Sequence, residues 1–200
     1  MTSAKRQQER VRRRRRINNS VDVLISGGID SAALLALYQS QRFIVRGLFV
    51  NFGQPAAKQE ERAARLVCKH YRVPLSMITV KCAAEFSTGE IQGRNAFLVF
   101  AAILACGTRT GMIAIGIHEG TQYYDCGEGF VKSIQAVVDG YAAGRIKVAT
   151  PFLKWNKQVI WEFCKKARVP VDLTYSCEKG GLHPCGKCLS CKDRKALNVL

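Results

Sequence analysis

After residue 20 the pattern of hydrophobic and polar positions changes its period again and again. Short apolar, β-branched runs read as strands: "VDVLI" (21–25), "FIVRGLFV" (43–50), "LSMITV" (75–80), "MIAIGI" (112–117) and "RIKVAT" (145–150). Between and after them lie segments with apolar residues at helical spacing: "SAALLALYQSQ" (31–41), "PAAKQEERAARLVCKHY" (55–71), "GRNAFLVFAAILACGT" (93–108), "FVKSIQAVVDGY" (130–141) and "KWNKQVIWEFCKKAR" (154–168). Five strand–helix repeats predict an α/β fold, doubly wound, around a mainly parallel five-stranded sheet. Ligands of such sheets bind outside the carboxyl ends of the strands, at the switch point.

That geometry puts weight on "SGGIDS", Ser26–Ser31, where the first strand ends and the first helix begins. Free N–H groups and the helix dipole make such a junction an anion site. Gly27 and Gly28 let the backbone approach a ligand, Ser26 and Ser31 add hydroxyls, and Asp30 can hold a divalent cation or cap the helix. The stretch reads as a phosphate cradle, yet it is neither a G-x-x-x-x-G-K-[ST] loop nor a G-x-G-x-x-G loop.

Composition changes the picture at the two ends. The net charge is +16, and residues 1–16 hold eight Lys and Arg against one Glu. Residues 1–19 therefore read as a basic, disordered arm suited to nucleic acid or an acidic protein, against the plainer reading of a solvated tail. Residues 20–200 read as a single domain, with a cysteine element at 174–194. No stretch is apolar for the length of a membrane span and no signal-peptide pattern follows the basic start, so a soluble, cytoplasmic protein without a membrane partner is expected.

Cys177, Cys185, Cys188 and Cys191 form a C-x7-C-x2-C-x2-C series. Four thiolates at that spacing suit a closed tetrahedral Zn²⁺ site, with an iron–sulfur cluster and redox dithiols as the alternatives. His183 reads as a loop residue, and the other five cysteines read as core packing.

"SGGIDS" resembles the SGGxDS pyrophosphate loop of the PP-loop ATP pyrophosphatases, a HUP-like superfamily whose members cleave ATP between the α and β phosphates and adenylate a substrate. Together with "GRN" (93–95), "DC" (125–126) and the four-Cys element, the chain resembles the 7-cyano-7-deazaguanine synthase family from about Val21 to Arg194. The resemblance implies ATP, Mg²⁺ and Zn²⁺ as cofactors, a deazaguanine as small-molecule substrate and a homodimer. It implies that Ser26, Gly27, Gly28, Asp30, Ser31, Gly53 and Gln54 bind ATP. It further implies that Arg94, Asn95 and Asp125 face the substrate, and that Asp30, Ser31 and Arg94 take part in catalysis. Lys154 resembles a family lysine position, beside the plainer reading of a solvated lysine at a helix start.

The chain also departs from that family. "FGQPAA" keeps Gly53 and Gln54 of the usual YGQRH but has Pro55 and Ala56 in place of the basic pair, "HEGTQYYDCGEG" lacks the substrate-loop arginine, and the link from Val80 to Gly93 is short. Three readings follow. One is a ligase forming a nitrile from 7-carboxy-7-deazaguanine and ammonia. Another is a divergent relative, of a defence or nucleic-acid-modification system, that passes the adenylated deazaguanine to an amine of a macromolecule. The last is a tRNA-modifying thiolase, with Cys82 or Cys126 as nucleophile, or an RNA-binding module.

Overall fold

A computed structural model of the chain describes residues 5, 7, 19–81, 85–120 and 122–199. The basic arm and Cys82 therefore lie outside the described residues, apart from Lys5, Gln7 and Asn19. In chain order the regular elements are β1 (Ser20–Leu24), α1 (Ile29–Ser40), β2 (Ile44–Asn51), α2 (Ala57–His70), β3 (Leu75–Thr79), α3 (Arg94–Cys106), β4 (Met112–Ala114), α4 (Glu128–Ala142), β5 (Lys147–Ala149), α5 (Lys157–Ala167) and α6 (Leu189–Ala196). The five strands form one sheet in the order β3-β2-β1-β4-β5, and every pairing is parallel. The winding reverses between β1 and β4, so the crevice at the carboxyl ends of those strands opens beside "SGGIDS".

Alternation along the strands divides the core in two. Val21, Val23, Ile25 and Phe49 pack with Ala64 and Val67 of α2, Ile160 of α5 and most of α1. Leu24, Leu48, Val50 and Ile113 pack with Val99 and Ala102 of α3 and Ile134 and Val138 of α4 on the other face. Asp22 interrupts the apolar pattern of β1 but is not left unpaired. Its register partner on β2, Arg46, donates to both carboxylate oxygens at 2.8 Å.

Four elements differ from the periodicity. The last two strands are three residues each, Met112–Ala114 and Lys147–Ala149. Helix α5 starts at Lys157 rather than Lys154, since Asn156 caps it by accepting a hydrogen bond from the Val159 N–H at 2.9 Å. Helix α6, which starts among the cysteines, has no apolar stripe by which to foresee it.

Candidate active site and metal centre

Gly27 turns the loop after β1 with φ at +79°, and a Cβ there would sit 2.6 Å from the Glu60 carbonyl oxygen and 2.8 Å from the Ala63 Cβ. The loop thus lies directly on α2, an approach open to glycine alone. Gly27→Ala is expected to destabilise the fold by about 1–3 kcal/mol, measured by denaturant unfolding; an unchanged midpoint would remove this account of the glycine.

Gly28 is the N-cap of α1 and brings no side-chain cap, so the first N–H groups of the helix stay available to an anion. The two serines hold the loop in shape. Ser31 Oγ donates to the Gly28 carbonyl at 3.0 Å and accepts from the Ser26 N–H at 3.3 Å, while the Gly28 N–H donates to Ser26 Oγ at 3.3 Å.

Asp30 stands one residue into the helix. Lys157, at the start of α5, donates from Nζ to its Oδ2 at 2.6 Å. The His118 Nε2 lies 3.9 Å from the same oxygen, and Gly116 leaves room for this approach, since a Cβ there would be 3.3 Å from the Asp30 Cβ. Asp30 Oδ1 is buried with no hydrogen-bond partner among the described residues. A buried, unpartnered carboxylate oxygen beside an anion site has the chemistry of a cation ligand, so the donor set fits Mg²⁺. Lys154, the lysine singled out in the sequence, is 81% exposed and pairs with Glu128 instead; Lys157 is the residue that sequence reasoning missed.

The loop opens into a cavity of about 320 Å³ that also contains Gln54, Glu60, Arg94, Asn95 and Cys126. Gly27, Gly53 and Asp125 are not among its lining residues. Asp125 works from behind the wall: its Oδ2 accepts from the Asn95 N–H at 3.2 Å, its carbonyl accepts from Asn95 Nδ2 at 3.0 Å, and the pair is buried. Arg94, at the start of α3, donates from Nε to Asn95 Oδ1 at 3.3 Å. The Gly53 N–H donates to Asn51 Oδ1, and the Gln54 side chain accepts from the Phe52 N–H at 3.0 Å, so both shape the turn after β2.

Among the cysteines outside the four-Cys series, Cys68, Cys106 and Cys164 are buried as core residues. Cys126 departs from that expectation and lines the cavity. Burial, and next the Asp125 charge, push its thiol up to about 11, which leaves it protonated and a poor nucleophile at neutral pH.

The sulfurs of Cys177, Cys185, Cys188 and Cys191 all lie within 4.8 Å of one another, and His183 is not part of the group. A tetrahedron with Zn–S bonds of about 2.3 Å has edges of about 3.8 Å, and the Cys185 and Cys191 sulfurs are 3.9 Å apart. The N–H groups of Lys187 and Cys188 point at the Cys185 sulfur and lower its thiol to about 6. The four thiols therefore fit zinc. This element also braces the loop: the Tyr175 N–H donates to the Gly27 carbonyl at 2.9 Å. Its Glu178 accepts from the Gly89 N–H at 3.1 Å and from the Ser190 N–H and hydroxyl at 3.2 and 3.0 Å.

The profile of a family described as "Queuosine biosynthesis protein QueC" matches residues 20–92 and 83–198. The chain belongs to the QueC family. The 7-cyano-7-deazaguanine synthase of Sulfurihydrogenibium sp. (strain YO3AOP1) is 32% identical over 205 residues, covering 88% of this chain and 92% of that one. The synthase of Prochlorococcus marinus (strain MIT 9301) is 29% identical over 209 residues, covering 90% and 93%. Solved structures are looser matches; NMN synthetase from Francisella tularensis aligns at TM-score 0.43 with 14% identity, over 90% of this chain and 77% of that one.

An alignment of 209 residues that takes in 90% of a 200-residue chain crosses positions the QueC relative has and this chain lacks. The two QueC matches overlap at 83–92, inside the short link to α3. Gly89 of that link is the residue tied to Glu178, so the link is anchored on the cysteine element. Among the described residues no helix is long and apolar enough to cross a membrane.

Proposed function

We propose that the chain is an ATP-dependent carbon–nitrogen ligase that converts 7-carboxy-7-deazaguanine and ammonia to 7-cyano-7-deazaguanine. A carboxylate resists attack by an amine because its leaving group is poor. Transfer of AMP to it makes a mixed anhydride and releases pyrophosphate, ammonia then displaces AMP to give the amide, and a second adenylation of the amide oxygen lets AMP leave with formation of the nitrile. The observation that carries this reading is Asp30, whose unpartnered Oδ1 and lysine-bonded Oδ2 meet at the open N-terminus of α1.

In this reading the N–H groups of the loop and first turn hold the departing pyrophosphate, and Ser26 and Ser31 keep the loop in the shape that receives it. Lys157 brings positive charge to the bond being broken, and Arg94 holds the substrate carboxylate or a phosphate. Asn95, fixed by Asp125, borders the deazaguanine. Mg²⁺ held by Asp30 would neutralise the polyphosphate, and zinc held by the four cysteines would fix the element that braces Gly27.

Incubation with ATP, Mg²⁺, 7-carboxy-7-deazaguanine and ammonium should give AMP, pyrophosphate and a product with the mass of the nitrile. Release of ADP would remove the assignment. Lys157→Met is expected to lower the rate of AMP formation about 100-fold while Lys154→Met leaves it unchanged; equal effects of the two would mean that the contact with Asp30 has no catalytic part.

The charge of residues 1–16 favours a second reading, in which the adenylated deazaguanine passes to an amine of a macromolecule recruited by the arm. Deleting those residues should then spare small-molecule adenylation and weaken RNA binding, with a shallower salt dependence. Equal affinities and slopes for the full and shortened chains would leave the small-molecule ligase alone.

A further inference from the structure

Four carboxylates line the cavity, Asp30, Glu60, Glu178 and, on α6 two residues after Cys191, Asp193; the first three differ in what already occupies them. Asp30 has Lys157, and both oxygens of Glu178 accept from N–H or O–H groups. Glu60, in the first turn of α2, has only the Gln54 Nε2 on its Oε2, at 2.8 Å, and its other oxygen has no hydrogen-bond partner among the described residues. No cation lies within ion-pair distance of it among the described residues. Arg94 acts on it only through its field and is turned to Asn95, while Pro55 and Ala56, which also line the cavity, bring no charge. Burial pushes the Glu60 carboxyl above its usual range, against the opposing pull of Gln54 and Arg94.

A half-buried carboxylate with one free oxygen facing a reaction cavity has a place for a small cation. Gln54 decides which kind. Its amide oxygen is committed to the Phe52 N–H, so it turns N–H toward Glu60 and offers no second oxygen to a metal. We propose that Glu60 is the seat of the ammonium co-substrate and the base that converts it to ammonia.

This rests on the ligase reading above. Ammonium donates to the free Glu60 oxygen and gives it one proton. The ammonia nitrogen then forms a bond to the acyl carbon, the bond from that carbon to the AMP oxygen breaks, and the nitrogen's surplus proton leaves with the AMP phosphate. Glu60 returns its proton to solvent through the cavity before the next cycle.

The two steps separate experimentally in the full-length protein. Pyrophosphate exchange into ATP, dependent on 7-carboxy-7-deazaguanine and run without ammonium, reads adenylation alone; amide formation against ammonium chloride concentration reads the seat. Glu60→Gln should keep the exchange and raise the KM for ammonium about 10- to 100-fold, and Glu60→Asp should restore part of that loss. An ammonium KM unchanged in Glu60→Gln overturns the seat and leaves the ligase standing. Loss of exchange in Glu60→Gln together with Glu60→Asp shows a structural carboxylate and also overturns it. Absence of exchange in the unaltered protein sinks the adenylation reading, and the seat with it.

Discussion

Asp30→Ala is expected to lower ATP-dependent AMP formation by about a thousandfold or more, the largest effect of any single substitution in the cavity. Its two oxygens do different work, one fixing the Lys157 ammonium at 2.6 Å and one left without a partner where a cation would bind. Truncation removes the cation's ligand and releases the Lys157 ammonium from its fixed position at once, so the loss exceeds that of Lys157→Met. Stability should change little, because the Asp30 and Lys157 side chains keep 24% and 30% of their exposure and water can solvate the freed lysine. Asp30→Asn keeps the shape but loses the charge, and should be nearly as inactive. Coupled AMP assays beside thermal unfolding of the same samples check this; an active Asp30→Asn variant would remove the cation from the account.

Replacing Cys188 by Ala, or stripping the metal with a strong chelator, should unfold the C-terminal element and lower the midpoint of thermal unfolding by about 10 °C or more. The four sulfurs converge on one point, so losing the ion removes the bonds that hold the segment from Cys177 to Cys191 together. Helix α6 starts directly after Cys188 and loses its anchor. The effect should reach the nucleotide loop, because Tyr175, two residues before Cys177, holds the Gly27 carbonyl. Metal analysis should find one zinc per chain in the unaltered protein and none in the variant. A variant that unfolds at the same temperature without metal would show the element to be independent of the ion; iron with sulfide in the unaltered protein would replace zinc by a cluster.

Features written in consecutive residues were legible without coordinates. The alternation of apolar runs with helical spacing announces a parallel α/β sheet because strand and helix periods differ along the chain itself. The Ser26–Ser31 loop is a local shape set by two glycines and a helix start, and the cysteine series is a spacing that brings three of four ligands together within seven residues. What the chain could not reveal is which distant side chains face each other. Lys154 and Lys157 are both lysines near the start of one amphipathic stretch, and only the cap at Asn156 and the docking of α5 on α1 turn the second toward Asp30, 127 residues away. Asp125 looked like a substrate contact, yet the packing of its short turn against α3 puts it behind Asn95. Cys126 read as core packing and Glu60 as one position of a helix with apolar residues at helical spacing, and both face the cavity because the strand order β3-β2-β1-β4-β5 brings the ends of β1, β2 and β4 to one edge. Local periodicity fixes each element and the side it buries; the order in which parallel strands associate depends on the summed packing of all the helices, and that order selects the residues that meet in the crevice.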